Sequence, residues 1–248
     1  MQRRKFITGA AAAIALAGAP MLATAGGAHA VDTDKAAGWS SSFNSNSRGW
    51  SSVRGSWYRS AGKWRADGQP GYFLSTKHTG VWENFVYQAK VKRDGNGGGT
   101  WANALIVRAN PGNLRYDYRW LPGYYFQFTN TGYFSVWYMD ASGGDAAVKD
   151  WTYSSVVENA YWKNMKVVAN DGYLSFSING YSLWSGYDYR LSYGKVGVGF
   201  YTASGYWGKL QIDQSSLQTL PGRAKVTPDP SAPIGATVPG GTILRSPK

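Results

Sequence analysis

Flat aromatic side chains are the residues of this sequence with the most evident chemistry. The 248-residue chain holds 12 Trp, 18 Tyr and 9 Phe, and all of them except Phe6 lie between residues 39 and 207. Trp and Tyr rings offer apolar faces that match the C–H face of a pyranose, while Arg, Asn and Gln side chains bind its hydroxyl groups. This composition indicates a carbohydrate-binding surface. The candidate binding residues are Trp101, Arg108, Trp120, Tyr125, Gln127, Trp137, Trp151 and Trp184.

Three short breaks between residues 122 and 187 have the composition of β-hairpin turns. They are Asn130-Thr131-Gly132, Asn170-Asp171-Gly172 and Asn179-Gly180. These residue types tolerate the positive φ that tight hairpins require, and the runs between them are rich in aromatic and β-branched residues. This part of the chain is therefore predicted to form a meander of antiparallel strands, with a loop over residues 139–161.

Alternation along these strands predicts sheets with two unlike faces, because neighbouring side chains of a strand point in opposite directions. The run 173–179 places Leu174 and Phe176 on one face and mainly Ser, Asn and Tyr on the other. The run 124–138 is different, because aromatic residues occupy both of its faces. We expect its second face, which carries Tyr125, to be a binding surface.

The rest of the chain between residues 39 and 220 has no sustained helical period, which favours an all-β fold. Further strands are predicted over residues 39–43, 50–64, 72–76, 83–92, 101–109, 195–201 and 208–213, with a hairpin turn at Ala61-Gly62. The aromatic binding candidates are expected to be exposed. The aromatic residues expected in the core are Phe43, Phe85, Tyr87, Phe126, Phe128, Phe176 and Phe200.

The two ends of the chain differ in composition from the region between them. Residues 1–30 have a basic start, an apolar run and the cleavage site Ala28-His29-Ala30, which together predict a signal peptide. Gln2-Arg3-Arg4-Lys5-Phe6 resembles the twin-arginine export motif of bacteria, with the ordinary secretory route as the alternative. Residues 31–220 are predicted to form one domain. Residues 221–248 are rich in Pro and Gly without aromatic residues, and are predicted to form a disordered tail.

The charge balance and the absence of cysteine limit the classes of partner and site. Formal net charge is +12, and loss of Arg3, Arg4 and Lys5 with the signal peptide leaves +9. This balance favours an acidic glycan or another anionic surface. The basic residues do not form a clustered stripe, which argues against nucleic acid as the partner. With no Cys, the exported domain has neither disulfides nor thiolate metal sites. The apolar run within residues 1–30 is too short for a membrane span.

The order of motifs over residues 39–213 is similar to the concanavalin A-like lectin/glucanase superfamily, in particular to laminin-G-like modules and 3-keto-disaccharide hydrolase-like domains. The resemblance lies in many short matches, among them Trp64-Arg-Ala-Asp-Gly68, Ala104-Leu-Ile-Val-Arg108, Gly123-Tyr-Tyr-Phe-Gln-Phe128, Gly194-x-Val-Gly-Val198 and Leu210-x-Ile-Asp213. It implies a jelly roll of two antiparallel sheets whose concave face holds sugars. It also implies a structural calcium ion, for which Asp213 is the candidate ligand.

Enzymes of this fold remain an alternative to a binding module. The resemblance implies Glu-x-Asp-x-Glu for a glucanase, in which two carboxylates share a strand face, but this chain has only Glu83 and Glu158, far apart. An inverting pair from separate strands stays open, with Asp140, Asp145, Asp150 and Asp188 as candidates. A polysaccharide lyase also stays open.

A lyase needs a Tyr or His to move a proton and a basic or amide side chain to neutralise a uronate. Arg108, Tyr125 and Gln127 offer that chemistry, whereas His78 lies in a turn-like segment and is expected to be a surface residue. The sequence thus favours a secreted, non-catalytic, lectin-like domain that recognises a polysaccharide. The alternatives are a jelly-roll lyase or hydrolase and a structural protein of the cell envelope.

Overall fold

The structure is a computed structural model that describes residues 38–68, 70–95 and 101–221. The predicted signal peptide and residues 222–248 of the predicted tail lie outside these residues. The described part contains fifteen β-strands and no helix that could cross a membrane. The strands are β1 Trp39–Ser41, β2 Trp50–Arg54, β3 Trp57–Ser60, β4 Lys63–Asp67, β5 Tyr72–His78, β6 Phe85–Gly95, β7 Asn103–Ala109, β8 Gly123–Phe128, β9 Tyr133–Met139, β10 Asp145–Tyr153, β11 Lys163–Asn170, β12 Tyr173–Ile178, β13 Tyr181–Tyr187, β14 Lys195–Thr202 and β15 Gly208–Thr219.

The strands form two antiparallel sheets, which confirms the predicted jelly-roll sandwich. The eight-stranded sheet has the order β13-β12-β11-β6-β15-β4-β3, with β1 paired to β15. The seven-stranded sheet has the order β10-β9-β8-β7-β14-β5-β2. The predicted meander is therefore divided, since β8, β9 and β10 belong to one sheet and β11, β12 and β13 to the other.

The inner faces of the two sheets enclose the main core, and the alternation read from the sequence locates them correctly. Leu105 and Val107 of β7 face Phe176 and the other apolar residues of the eight-stranded sheet. All seven aromatic residues expected in the core are at most 1% exposed. Burial of apolar side chains on this scale is the main source of stability for a chain without disulfides.

Two strands differ from the prediction. Residues 145–153, predicted as loop, form the edge strand β10, whose side chains are mostly exposed and whose pairing with β9 is interrupted by two register shifts. Because a bulge changes which residues face inward, the alternation of a strand is lost there. A bulge after Ile212 likewise interrupts the alternation of β15, so its second half was not predicted as strand. Ser215 and Leu217 are the buried residues of that half.

The outer face of the seven-stranded sheet carries a second, smaller apolar cluster. It contains Ile106 and Tyr125 from the sheet and Trp120 and Leu121 from the segment that joins β7 to β8. The indole N–H of Trp120 donates to Ser75 Oγ at 2.8 Å, so the segment is fixed to strand β5 beneath it. The middle of this outer face is consequently closed to solvent.

His78 lies in an aromatic cluster that gives the fold a specific acid sensitivity. Its ring stacks on Trp39 with centroids 4.0 Å apart, and Trp50 and Trp82 are 5.9 and 5.3 Å away. Burial, and secondarily the charge of Lys195, lowers the pKa of His78 from 6.5 to about 4.

We expect stability to fall as the pH drops from about 6.5 towards about 4, because the unfolded chain binds a proton at His78 before the folded chain does. Urea unfolding at pH 7 and pH 5 would measure this loss in the wild type and in His78→Gln. The variant should lose less stability between the two pH values. An equal loss in both proteins would contradict the assignment.

Candidate functional site

A cleft of about 300 Å³ opens on the outer face of the seven-stranded sheet, beside the segment that carries Trp120. Its aromatic walls are Trp101, Trp137, Trp151 and Tyr201, and these residues together with Gln127 define what we call the aromatic cleft. Four of the eight predicted binding residues therefore line one cavity. Ala102, Arg119, Met139 and Asp145 complete the lining.

Strands β8, β9, β10 and β14 and the segment just before β7 bring these side chains together. Trp137 on β9 lies opposite Tyr125 of β8, so that Trp137 and Gln127 point to the same outer face as Tyr125. Trp151 projects from the irregular edge strand β10. On the other side, the ring of Trp101 lies 5.8 Å from that of Tyr201, whose backbone N–H donates to Ala102 O. Residues 50 positions apart in the sequence thus meet because β7 to β10 and β14 are adjacent.

Gln127 is the polar group of the cleft best placed to bind a ligand. The residue is only 3% exposed, and it lines the aromatic cleft. Two buried donors of the lining, Trp101 Nε1 and Arg119 Nε, have no hydrogen-bonding partner among the described residues, which is costly because folding removes them from water without replacing their hydrogen bonds. An amide both donates and accepts, so it matches a sugar hydroxyl in either role.

An ion-pair network supports the rim of the aromatic cleft. Arg115 contacts Asp117 at 2.7 Å and Asp145 at 2.8 Å, and Arg119 contacts Asp117 at 3.3 Å. Burial tends to raise the pKa of Asp117, but the hydrogen bond from Arg115 and the charges of Arg119 and Arg115 outweigh it and lower that pKa. The network joins the segment before β8 to the start of β10, and so fixes Arg119 and Asp145 of the cleft lining relative to each other.

The expected exposure of Trp120 and Tyr125 is wrong, since both residues are completely buried. The Tyr125 hydroxyl accepts from the backbone N–H of Trp120 and donates to its carbonyl at 3.0 Å. The two residues fix the covering segment to the sheet. Alternation assigned Tyr125 to the correct face, but that face is covered here.

Arg108 and Trp184 also lie outside the aromatic cleft. Arg108 is 1% exposed, and its guanidinium donates to the carbonyl oxygens of Glu83 at 2.9 Å and Leu191 at 2.8 Å. Trp184 on β13 packs against the main core, with its ring 6.4 Å from Phe126. Both side chains contribute to packing in this structure.

Sequence reasoning missed Arg119, Met139, Asp145 and Tyr201 as residues of the cleft. Alternation along the predicted strand 195–201 could have identified Tyr201, because Val196, Val198 and Phe200 face the core. Alternation also places Met139 on the face of Trp137, which it follows by two residues, whereas Arg119 and Asp145 had no comparable signal. Arg119 lies in a segment without period, and Asp145 begins the strand that was predicted as loop.

The surroundings of Asp213 do not fit a calcium ion. Its two carboxylate oxygens contact Lys63 Nζ at 2.6 Å and Lys90 Nζ at 2.8 Å, so a divalent cation would face two ammonium groups. Burial tends to raise the pKa of Asp213, but the hydrogen bonds and charges of the two lysines lower it below its usual value. No group of three or more potential metal ligands occurs in the part of the chain that the structure describes.

Asp213→Asn should lower the free energy of unfolding by about 1 kcal/mol, the usual scale for partly exposed ion pairs, because Lys63 and Lys90 lose their common partner. The loss should be the same with added calcium and with a chelator. Chemical denaturation of both proteins under the two conditions measures it. Calcium that stabilised the wild type and not the variant would contradict this account of Asp213.

No protein-family model and no curated protein matches the sequence. Among solved structures, the carbohydrate binding module CBM66 from Bacillus subtilis is 14% identical, with a TM-score of 0.53 over 67% of this chain and 94% of the module. The Bacillus licheniformis beta-glucanase is 10% identical, with a TM-score of 0.59 over 75% of this chain and 100% of the enzyme. The apo Crh5 transglycosylase is 10% identical, with a TM-score of 0.54 over 75% of this chain and 85% of the enzyme. Identities this low carry information on architecture alone, and the architecture is that of a jelly-roll sandwich of two antiparallel sheets.

Proposed function

We propose that the protein is an exported carbohydrate-binding domain that holds a polysaccharide in the aromatic cleft. The observation that carries the proposal is the convergence of Trp101, Trp137 and Trp151 with Gln127 in one cleft. Carbohydrate sites combine flat apolar rings with a few fixed hydrogen-bonding groups, and the cleft offers both.

The exposure of the walls is suited to reversible binding of a chain. Trp151 is 39% exposed, while Trp101 and Trp137 are partly buried, so that part of each indole remains accessible to solvent. A sugar ring that stacks on them removes apolar surface from water with little loss of side-chain freedom, because the neighbouring strands already fix the indoles.

The small number of carboxylates in the cleft favours a binding role over hydrolysis. Asp145 is the sole acidic residue among those lining the aromatic cleft, and its carboxylate is paired with Arg115. Both retaining and inverting glycoside hydrolases require two carboxyl groups that flank the scissile bond. One ion-paired carboxylate does not supply the acid and the base of either mechanism.

The residues considered for a lyase are also unsuited to proton transfer. Burial raises the pKa of Tyr125, and its hydroxyl is engaged with the backbone of Trp120. His78 belongs to the aromatic cluster with Trp39 and does not line the cleft. Similar folds carry both roles, since one related structure is named as a carbohydrate binding module and others as a glucanase and a transglycosylase.

Retention of the full chain on immobilised neutral and acidic polysaccharides, at low and high salt, tests the proposal. We expect retention on at least one polymer that persists at high salt, because ring stacking is not screened by ions. New reducing ends or unsaturated uronate ends in the supernatant would replace it with an enzymatic function. Self-association without retention on any polymer would favour a structural role.

A further inference from the structure

A second groove, of about 400 Å³, lies at the opposite ends of strands β7 and β8 from the aromatic cleft. Ala109 and Pro122 line it, whereas Ala102 and Gln127 line the cleft. We call it the cationic groove and define it by Arg108, Arg190, Tyr193 and Lys195.

The cationic groove has three positive side chains and no carboxylate among its lining residues. Arg108 is among the lining residues but is only 1% exposed, and its guanidinium donates to backbone carbonyls and to Asn84. Lys195 Nζ donates to Thr79 O, which leaves two of its three donors for a ligand. The positive charge of Lys195, whose hydrogen-bond acceptor is a neutral carbonyl oxygen, favours an anion in the space it lines.

The acidic residues near the groove offset only part of this charge. Asp188 pairs with Arg190 and also accepts from the Tyr124 hydroxyl, so it offsets the charge of Arg190 although it does not itself line the groove. Glu83 and Asp171 act on Arg108 at longer range. Around Lys195 the dominant neighbour is another cation, Lys77; burial lowers the pKa of Lys195 and the charge of Lys77 lowers it further.

Apolar surface accompanies the charge. Tyr193 is 63% exposed and Val81 is 52% exposed, and Leu191 and Pro111 also line the groove. An inorganic anion makes no apolar contact with such a surface, whereas a sugar that bears a carboxylate has one apolar face and one negative group. The combination of charge and apolar surface therefore fits a carboxylate-bearing sugar better than an inorganic anion.

We propose that the cationic groove binds the carboxylate-bearing sugar of an acidic glycan, with Lys195 contacting the carboxylate and Tyr193 the sugar ring. The inference rests on the proposed function in taking the ligand to be a glycan. It concerns a separate groove, about 20 Å from the cleft along the seven residues of β7, at roughly 3.3 Å per residue.

Titration of the ¹⁵N-labelled full chain with D-glucuronate, D-glucose and sulfate, followed by NMR, tests the assignment. Glucuronate should shift the amide signals of Ser192, Tyr193 and Lys195 saturably, and glucose should not. Lys195→Gln should weaken glucuronate binding about fivefold, the scale of one partly exposed charge contact. Lys166→Gln removes one exposed lysine from the other sheet and should leave the affinity unchanged.

Several outcomes would overturn the inference. They are the absence of saturable shifts, equal binding of glucose, equal weakening by Lys166→Gln, and sulfate binding as tight as glucuronate, which would indicate an adventitious ion only. A parallel NMR titration uses a polysaccharide that the protein retains. In it, the indole N–H signals of Trp137 and Trp151 report binding in the aromatic cleft. Failure of the cationic groove is therefore distinguishable from failure of the proposed function.

Discussion

Trp120→Ala should lower the free energy of unfolding by about 3–5 kcal/mol, the range for a large aromatic side chain removed from a core. Trp120 is completely buried, and its loss would leave a cavity over Ile106 and Tyr125 and remove the hydrogen bond to Ser75. The segment that covers the seven-stranded sheet would lose its main anchor. Urea denaturation followed by circular dichroism measures the change.

Trp151→Ala is the matched control, because it removes the same side chain from an edge strand where it is 39% exposed. Its cost should be small, within about 0.5 kcal/mol as for most surface substitutions. A small cost for Trp120→Ala, together with a selective loss of glycan binding, would contradict the structural role of Trp120 and restore it as a binding residue.

The double variant Trp137→Ala/Trp151→Ala should lose glycan affinity at least about tenfold, or roughly 1.4 kcal/mol, while remaining folded. It removes two of the aromatic walls of the cleft, so a sugar ring that hydrogen-bonds Gln127 can no longer stack on these indoles. Binding energy concentrates in a few aromatic anchors, which is why two substitutions suffice for a large effect. Affinity electrophoresis in gels that contain the retained polysaccharide measures the loss.

Tyr187→Ala/Tyr189→Ala is the corresponding control on the other sheet. These two rings are stacked with centroids 6.2 Å apart and are 70% and 75% exposed, so their removal also takes two accessible aromatic side chains from the surface. Retention should be unchanged. A loss confined to this variant would move the binding site to the edge of the eight-stranded sheet.

The parts of the fold that depend on local chemistry could be predicted from the sequence. Asn179 and Gly180 both adopt positive φ in the hairpin between β12 and β13, as their residue types indicate. Leu105 and Val107 face the core because alternation is a property of the strand itself. Such features are encoded within a few neighbouring residues.

The candidate site was only partly predictable, because it depends on contacts between distant segments. Alternation places Tyr125 and Gln127 on the same outer face, but nothing local indicates that Trp120 covers the first and leaves the second at the cleft. Arg108 illustrates the same limit. Its positive φ and its burial under the carbonyls of Glu83 and Leu191 arise from segments that follow no sequence pattern.

Oxidation footprinting of the tryptophans, with and without the most tightly retained polysaccharide, tests the central claim most directly. If the glycan occupies the aromatic cleft, Trp137 and Trp151 are protected from oxidation when it is bound. Trp162, which lies beside Lys63 and Lys90 on the other sheet, should be oxidised equally in both samples. Equal oxidation of Trp137 and Trp151 with and without glycan, or protection of Trp162 instead, would contradict it.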